Sequence, residues 1–202
     1  MKRIWDRSYG EQIQYHLDDG RAPIFDFGQP ERVAKARDYV TRLVDHLAPL
    51  GRPLVIRELG CGAADISGRY SQYHDVHGYD IVPMARQTAM ERFPSMSFQL
   101  IEVERVPPQE TDILILCEVL EHIHDPVHLV SNWLPLSRTV VIGHPINEPE
   151  PCVEPGHVWR YDLQDYANWF SIGGHRLVES INFSMGPFPE MVLGYGIREG
   201  SE

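Results

Sequence analysis

The sequence predicts an α/β protein: a mostly parallel sheet wound with helices on both faces. Three observations predict it. Short apolar runs alternate with segments of helical period, two of those runs are apolar almost throughout, and a glycine turn follows the first of them. Parallel strands need long crossover connections, and the helical segments supply them in right-handed units.

The elements run in order. A helical pattern over 31–48 leads into "PLVIREL" (53–59), the first strand, and "ELGCGAAD" turns the chain toward a helix expected over 64–73. "VHGYD" (76–80) is the second strand and 83–93 the next helix, after which "SFQLIEV" (97–103) reads as a further strand. "DILILC" (112–117) and "RTVVIGHP" (138–145) are the near-continuous apolar runs of strands covered on both faces, with a helix expected over 119–134 between them. Past Pro145 lies "INEPEPCVEPG", rich in proline and acid, which reads as a wall or lid of a site. A helix over 162–172 follows. The runs "HRLVESINF" and "MVLGYGI" then pair as an antiparallel hairpin.

At 202 residues and 23.2 kDa the chain fits a single domain, with 1–30 as an N-terminal cap segment and 31–202 as the wound core. A formal charge of −11, from 18 basic against 29 acidic residues, repels phosphate polymers and disfavours nucleic acid as partner. Cys61, Cys117 and Cys152 are odd in number and widely spaced, which suits free thiols in a reducing compartment. No apolar run reaches the roughly 20 residues needed to span a bilayer, and the first residues turn acidic where a secretory signal needs apolar ones. The expectation is a cytoplasmic protein without a membrane contact.

The glycine turn constrains the ligand. In a dinucleotide site Gly60-x-Gly62 would be followed by a glycine or alanine where Asp65 stands, and that carboxylate opposes a pyrophosphate. Glu58 and Asp65 instead favour a cationic ligand without phosphate, such as the sulfonium and ammonium of S-adenosylmethionine. Asp80 ends the second strand, where a carboxylate can accept both ribose hydroxyls.

E-L-G-C-G at the first strand, an acid ending the second and "TDILILCEVLEHIHDP" together resemble the class I S-adenosylmethionine-dependent methyltransferases, over roughly Glu31 to the end. Ala64 departs from the family where a third glycine is commonest. The resemblance implies a Rossmann-like fold with a seven-stranded sheet, mostly parallel, that closes in a C-terminal antiparallel hairpin under a short N-terminal helical cap. It implies that Gly60 and Gly62 line the methionine part of the cofactor, that Asp80 takes the ribose and that the loop after the third strand contacts the adenine, with Glu102 the candidate there; Glu58, Cys61, Ile81 and Cys117 are the further cofactor-binding residues expected. "IWDRSYGEQIQYHLDDG" resembles the cap of small-molecule methyltransferases, with Trp5, Tyr9 and Tyr15 as walls.

The segment "CEVLEHIHDPVH" (117–128) carries the chemistry. A helix starting near Glu118 would put Glu118, Glu121 and His122 on one face, at the carboxyl edge of the sheet where such folds bind ligands. Two chemistries fit. His122, assisted by Glu121, can act as general base toward a hydroxyl acceptor. Alternatively Glu118, Glu121 and His122 bind Mg²⁺ or Mn²⁺ with a fourth ligand from His157 or His144, of which His157 is preferred. E-x-x-E-H is similar to the motif of ubiquinone-pathway O-methyltransferases and of small-RNA 2′-O-methyltransferases, and both imply oxygen as the acceptor. His124 and His128 read as surface or core residues. The expected function is O-methylation of a small molecule such as a sugar or phenol; RNA ribose methylation and cofactor binding without turnover are the alternatives.

Overall fold

A computed structural model describes residues 1–3, 11, 14, 30–149, 156–185 and 188–200. Trp5, Tyr9, Tyr15, Cys152 and most of the expected cap lie outside them. The strands are β1 (Lys2–Arg3), β2 (Val55–Leu59), β3 (Asp75–Asp80), β4 (Ser97–Leu100), β5 (Thr111–Cys117), β6 (Ser137–Ile146), β7 (Trp159–Arg160), β8 (His175–Met185) and β9 (Phe188–Arg198). The helices are α1 (Pro30–Leu47), α2 (Pro83–Arg92), α3 (Pro126–Trp133) and α4 (Leu163–Ile172).

Seven strands form one sheet in the order β4-β3-β2-β5-β6-β9-β8. β4, β3, β2, β5 and β6 are parallel, while β9 runs antiparallel to both β6 and β8. The alternation and the terminal hairpin expected from sequence are therefore present. The near-continuous apolar runs are the inner strands: Leu114 and Leu116 of β5 face one core cluster, Ile113 and Ile115 the other, and all four are fully buried. Each such side chain stabilises the fold by about 1.5–3 kcal/mol relative to exposure. α1 buries Val33, Ala36, Val40, Leu43 and Leu47 at helical spacing against one face, and α4 buries Tyr166, Trp169 and Phe170 against the other.

Two expected helices differ. Residues 64–73 form turns and one short 3-10 turn (Gly68–Tyr70). A Cβ on Gly68 would come within 2.2 Å of the Phe93 ring, so this segment packs closely on α2's end with poor helix formers instead of extending as a helix. The helix expected over 119–134 covers only Pro126–Trp133. Pro126 cannot continue a preceding helix, and Asp125 caps the new one by accepting the His128 amide at 2.9 Å. Residues 118–125 are therefore a turn, entered through Glu118 at φ 56. The strand expected over 97–103 ends at Leu100.

Candidate active site

The glycine turn follows β2 at the carboxyl edge of the sheet. Gly60 and Gly62 adopt φ 67 and 50, and Ala64 takes φ 58, a left-handed conformation that favours glycine. The Gly60 and Cys61 amides both donate to the Tyr79 carbonyl, at 2.8 and 3.0 Å, which ties the turn to β3. Asp80 accepts the Gly62 amide at 2.8 Å through one oxygen and the Val82 amide at 2.9 Å through the other. Each oxygen keeps a second lone pair, and burial raises the Asp80 pKa against the pull of these amides. Ile81 follows directly. The Ile101 amide donates to the Asp80 carbonyl at 2.8 Å, bringing the next residue, Glu102, to the same edge, where it also pairs with Arg105 at 2.8 Å.

Beneath the turn, Glu58 is buried, accepts the Ser67 amide at 3.1 Å and has its pKa pushed up to about 7 by burial. Asp65 is taken by Arg92 at 2.7 Å and Arg37 at 3.5 Å, so its charge is locally neutralised. Burial holds the Cys61 and Cys117 thiols well above their usual pKa. Cys61 fills the space a Gly78 side chain would need, and Cys117 lies beside Gly143.

The turn after β5 packs against the glycine turn: a Cβ on Gly60 would meet Val119 Cγ2 at 2.9 Å. Residues 118–122 therefore adjoin the proposed cofactor contact without being helical. Glu118 does not share a helix face with the other two; its carboxylate pairs with Arg32 of α1 at 2.7 Å. Glu121 is fully buried, and neither of its carboxylate oxygens has a hydrogen-bond partner among the described residues. Burial pushes its pKa well up, and the Glu118 charge adds to the effect.

Two histidines complete the arrangement. His122 Nδ1 lies 3.0 Å from the Gly156 carbonyl, to which it donates when it carries the ring proton. His157 Nδ1 lies 2.6 Å from buried Glu148. Both contacts favour the tautomer whose Nε2 carries the lone pair. The two rings meet edge to face with centroids 4.7 Å apart, and His122 Nε2 is 4.0 Å from Glu121. One ligand atom from each of Glu121, His122 and His157 lies within 4.8 Å of the others. Backbone pairing holds them, since the Glu121 carbonyl accepts the Val158 and Trp159 amides at 2.7 and 3.3 Å. His144 stays apart: its nitrogens contact the Pro145 carbonyl and the Trp169 indole, inside the core beside Tyr161.

Residues 57–136 match the family model described as "Methyltransferase domain". The same fold is found in magnesium protoporphyrin IX methyltransferase from Synechocystis PCC 6803 with bound S-adenosylhomocysteine, at 16% identity, 95% of this chain, 100% of that one and a TM-score of 0.69. It is also found in the N-methyltransferase NodS from Bradyrhizobium japonicum WM9, crystallised with S-adenosylhomocysteine, at 17% identity, 96% and 100% coverage and a TM-score of 0.66. A third likeness is 1,6-didemethyltoxoflavin-N1-methyltransferase from Burkholderia thailandensis, at 16% identity, 94% and 86% coverage and a TM-score of 0.65. No curated protein matches the chain in sequence. The chain thus shares its fold with methyltransferases crystallised with S-adenosylmethionine or S-adenosylhomocysteine.

Glu148 and Arg32 were not legible as site residues. Glu148 stands in the acidic loop nine positions before His157, where only the fold reveals their pairing. Arg32 reads as one of several scattered arginines until α1 places it against Glu118.

Proposed function

We propose that the protein methylates a hydroxyl of a small molecule with the help of a divalent cation held by Glu121, His122 and His157. The observation that carries this reading is the Glu121 carboxylate, fully buried, without a hydrogen-bond partner among the described residues and grouped with two histidines whose Nδ1 atoms are already engaged. A buried carboxyl group without a hydrogen bond costs about 1–3 kcal/mol, a penalty that a cation at this point would remove. The donor set fits: two imidazoles and a carboxylate with open positions suit Mn²⁺ better than Mg²⁺, which prefers an all-oxygen shell.

When bound, the cofactor supplies an electrophilic methyl group and the cation lowers the pKa of the acceptor hydroxyl. The chain's own residues bind and orient. Gly60, Cys61 and Gly62 give close backbone approach, Asp80 accepts from the ribose, Glu102 faces the adenine, and Glu58, Ile81 and Cys117 close the floor. Glu148 and Gly156 fix the ring orientations of His157 and His122. A polar cavity of about 350 Å³, lined by Lys2, Asn147, Arg160 and Tyr161 among others but by none of the cofactor or cation residues, has the size of a small acceptor. The didemethyltoxoflavin N-methyltransferase of the same fold was crystallised with bound 1,6-didemethyltoxoflavin, in keeping with a small-molecule acceptor.

One feature favours RNA ribose as acceptor: β1 pairs with β7, setting Lys2 against Arg160 and Arg3 against Trp159. Binding of a labelled RNA that weakens steeply with salt would support it. The main reading is tested by calorimetric titration of Mn²⁺ into metal-free protein saturated with S-adenosylhomocysteine, alongside methyl transfer to a panel of catechols, phenols and sugars. Stoichiometric binding that Glu121→Ala loses, with transfer abolished by chelator and restored by Mn²⁺, is expected. Transfer at an unchanged rate in chelator would refute the metal role and leave His122 as the base.

A further inference from the structure

The Arg32–Glu118 pair joins the two halves of the site. Arg32 belongs to the first turn of α1, its side chain is only 15% exposed, and it contacts one oxygen of Glu118 at 2.7 Å. The other oxygen, Oε1, is buried and has no hydrogen-bond partner among the described residues. Glu118 sits at φ 56 with its amide fixed on the Gly143 carbonyl at 2.8 Å, so its backbone is anchored. Three residues on, Glu121 is fully buried, with neither oxygen hydrogen-bonded among the described residues. Val119, directly after Glu118, packs on the glycine turn. A largely covered guanidinium is thus bound to a carboxylate that stands one residue before the glycine-turn contact Val119 and three before Glu121.

We propose that Arg32 changes partner when the cofactor binds: it leaves Glu118 for the methionine carboxylate, and Glu118 turns to the Glu121–His122–His157 group as a further ligand. This rests on the metal reading above. The chemistry favours the exchange on both sides. A guanidinium fork matches a free carboxylate with two parallel hydrogen bonds, where it now spends one nitrogen on Glu118. Glu118 and Glu121 repel each other as long as no cation lies between them, and Arg32 holds Glu118 in the meantime. Neither bound group can then be exchanged without affecting the other, so cofactor and cation bind cooperatively, and the coupling is the same in both directions.

Mn²⁺ is titrated calorimetrically into metal-free wild-type protein alone, with saturating S-adenosylhomocysteine, and with 5′-methylthioadenosine, which has the nucleoside but no carboxylate. S-adenosylhomocysteine is expected to tighten Mn²⁺ binding by about 5–150-fold. Methylthioadenosine is expected to leave it unchanged. Arg32→Met should weaken S-adenosylhomocysteine, abolish the coupling and leave Mn²⁺ binding in its absence as tight as in the wild type or tighter. Glu118→Gln should do the converse, weakening Mn²⁺ but not S-adenosylhomocysteine. A pair with a merely structural role would weaken both ligands in both variants, and that result overturns the exchange. Equal Mn²⁺ affinity with and without S-adenosylhomocysteine overturns it too, while the metal reading stands. Absence of Mn²⁺ binding under every condition overturns the metal reading and the exchange with it; the wild-type titrations decide this even where a variant fails to fold.

Discussion

Replacing Glu121 by methionine separates stability from function. Glu121 is fully buried and its carboxylate has no hydrogen-bond partner among the described residues, so in the metal-free protein it contributes an unsatisfied polar group. Such a group costs about 1–3 kcal/mol, and methionine fills a similar volume without it. For a chain of 202 residues, 1 kcal/mol moves Tm by about 2–4 °C. Glu121→Met should therefore raise the Tm of the metal-free protein by roughly 2–12 °C. Mn²⁺ at about 100 times its Kd should stabilise the wild type by about 2.7 kcal/mol and the variant not at all, so the gap between the two melting curves closes or reverses when metal is added. The assay is thermal unfolding followed by circular dichroism, in chelator and in Mn²⁺. A variant less stable than wild type in chelator, or one still stabilised by Mn²⁺, would refute the reasoning, since either result means that Glu121 is held by protein and not waiting for a cation.

Glu148→Gln should lower Mn²⁺ affinity about 10–100-fold by loosening His157, while S-adenosylhomocysteine binding is unchanged; calorimetry of both ligands checks it. Gly60→Ala places a Cβ 2.9 Å from Val119 Cγ2 at a φ of 67, so it should destabilise the fold by about 1–3 kcal/mol and weaken the cofactor, as read by urea unfolding and S-adenosylhomocysteine titration. Buried His144 and His175 have pKa values lowered to about 4 by burial, so the unfolded chain binds protons first as pH falls. The stability each contributes is complete above its ordinary pKa near 6.5 and is lost as pH falls toward 4, by at most about 3 kcal/mol each. Glu58, raised to about 7, acts in the opposite sense, losing stability as pH rises from 4.5 to 7. The histidine contribution is therefore read as a difference: His175→Gln should flatten the fall between pH 6.5 and 4 relative to wild type, and superimposable profiles would show that His175 is not buried neutral.

The sequence determined the elements whose signal is local. Alternating apolar runs and helical periods marked β2, β3, β5, β6 and the terminal hairpin, and the glycines at 60 and 62 marked a turn because a left-handed backbone favours residues without a Cβ. Glu121, His122 and His157 were legible as candidate ligands because few residue types carry such donors. The helix expected through Glu118–Glu121–His122 was misread, since Pro126 and the Asp125 cap start α3 later and leave a turn before it. Tertiary structure alone decided what each donor faces. It turned Glu118 to Arg32 across 86 residues of chain, brought Glu148 to His157, and buried Glu121 without a hydrogen-bond partner. Periodicity and turn chemistry are properties of neighbours along the chain, whereas the burial and pairing of a charge depend on which distant segments pack beside it.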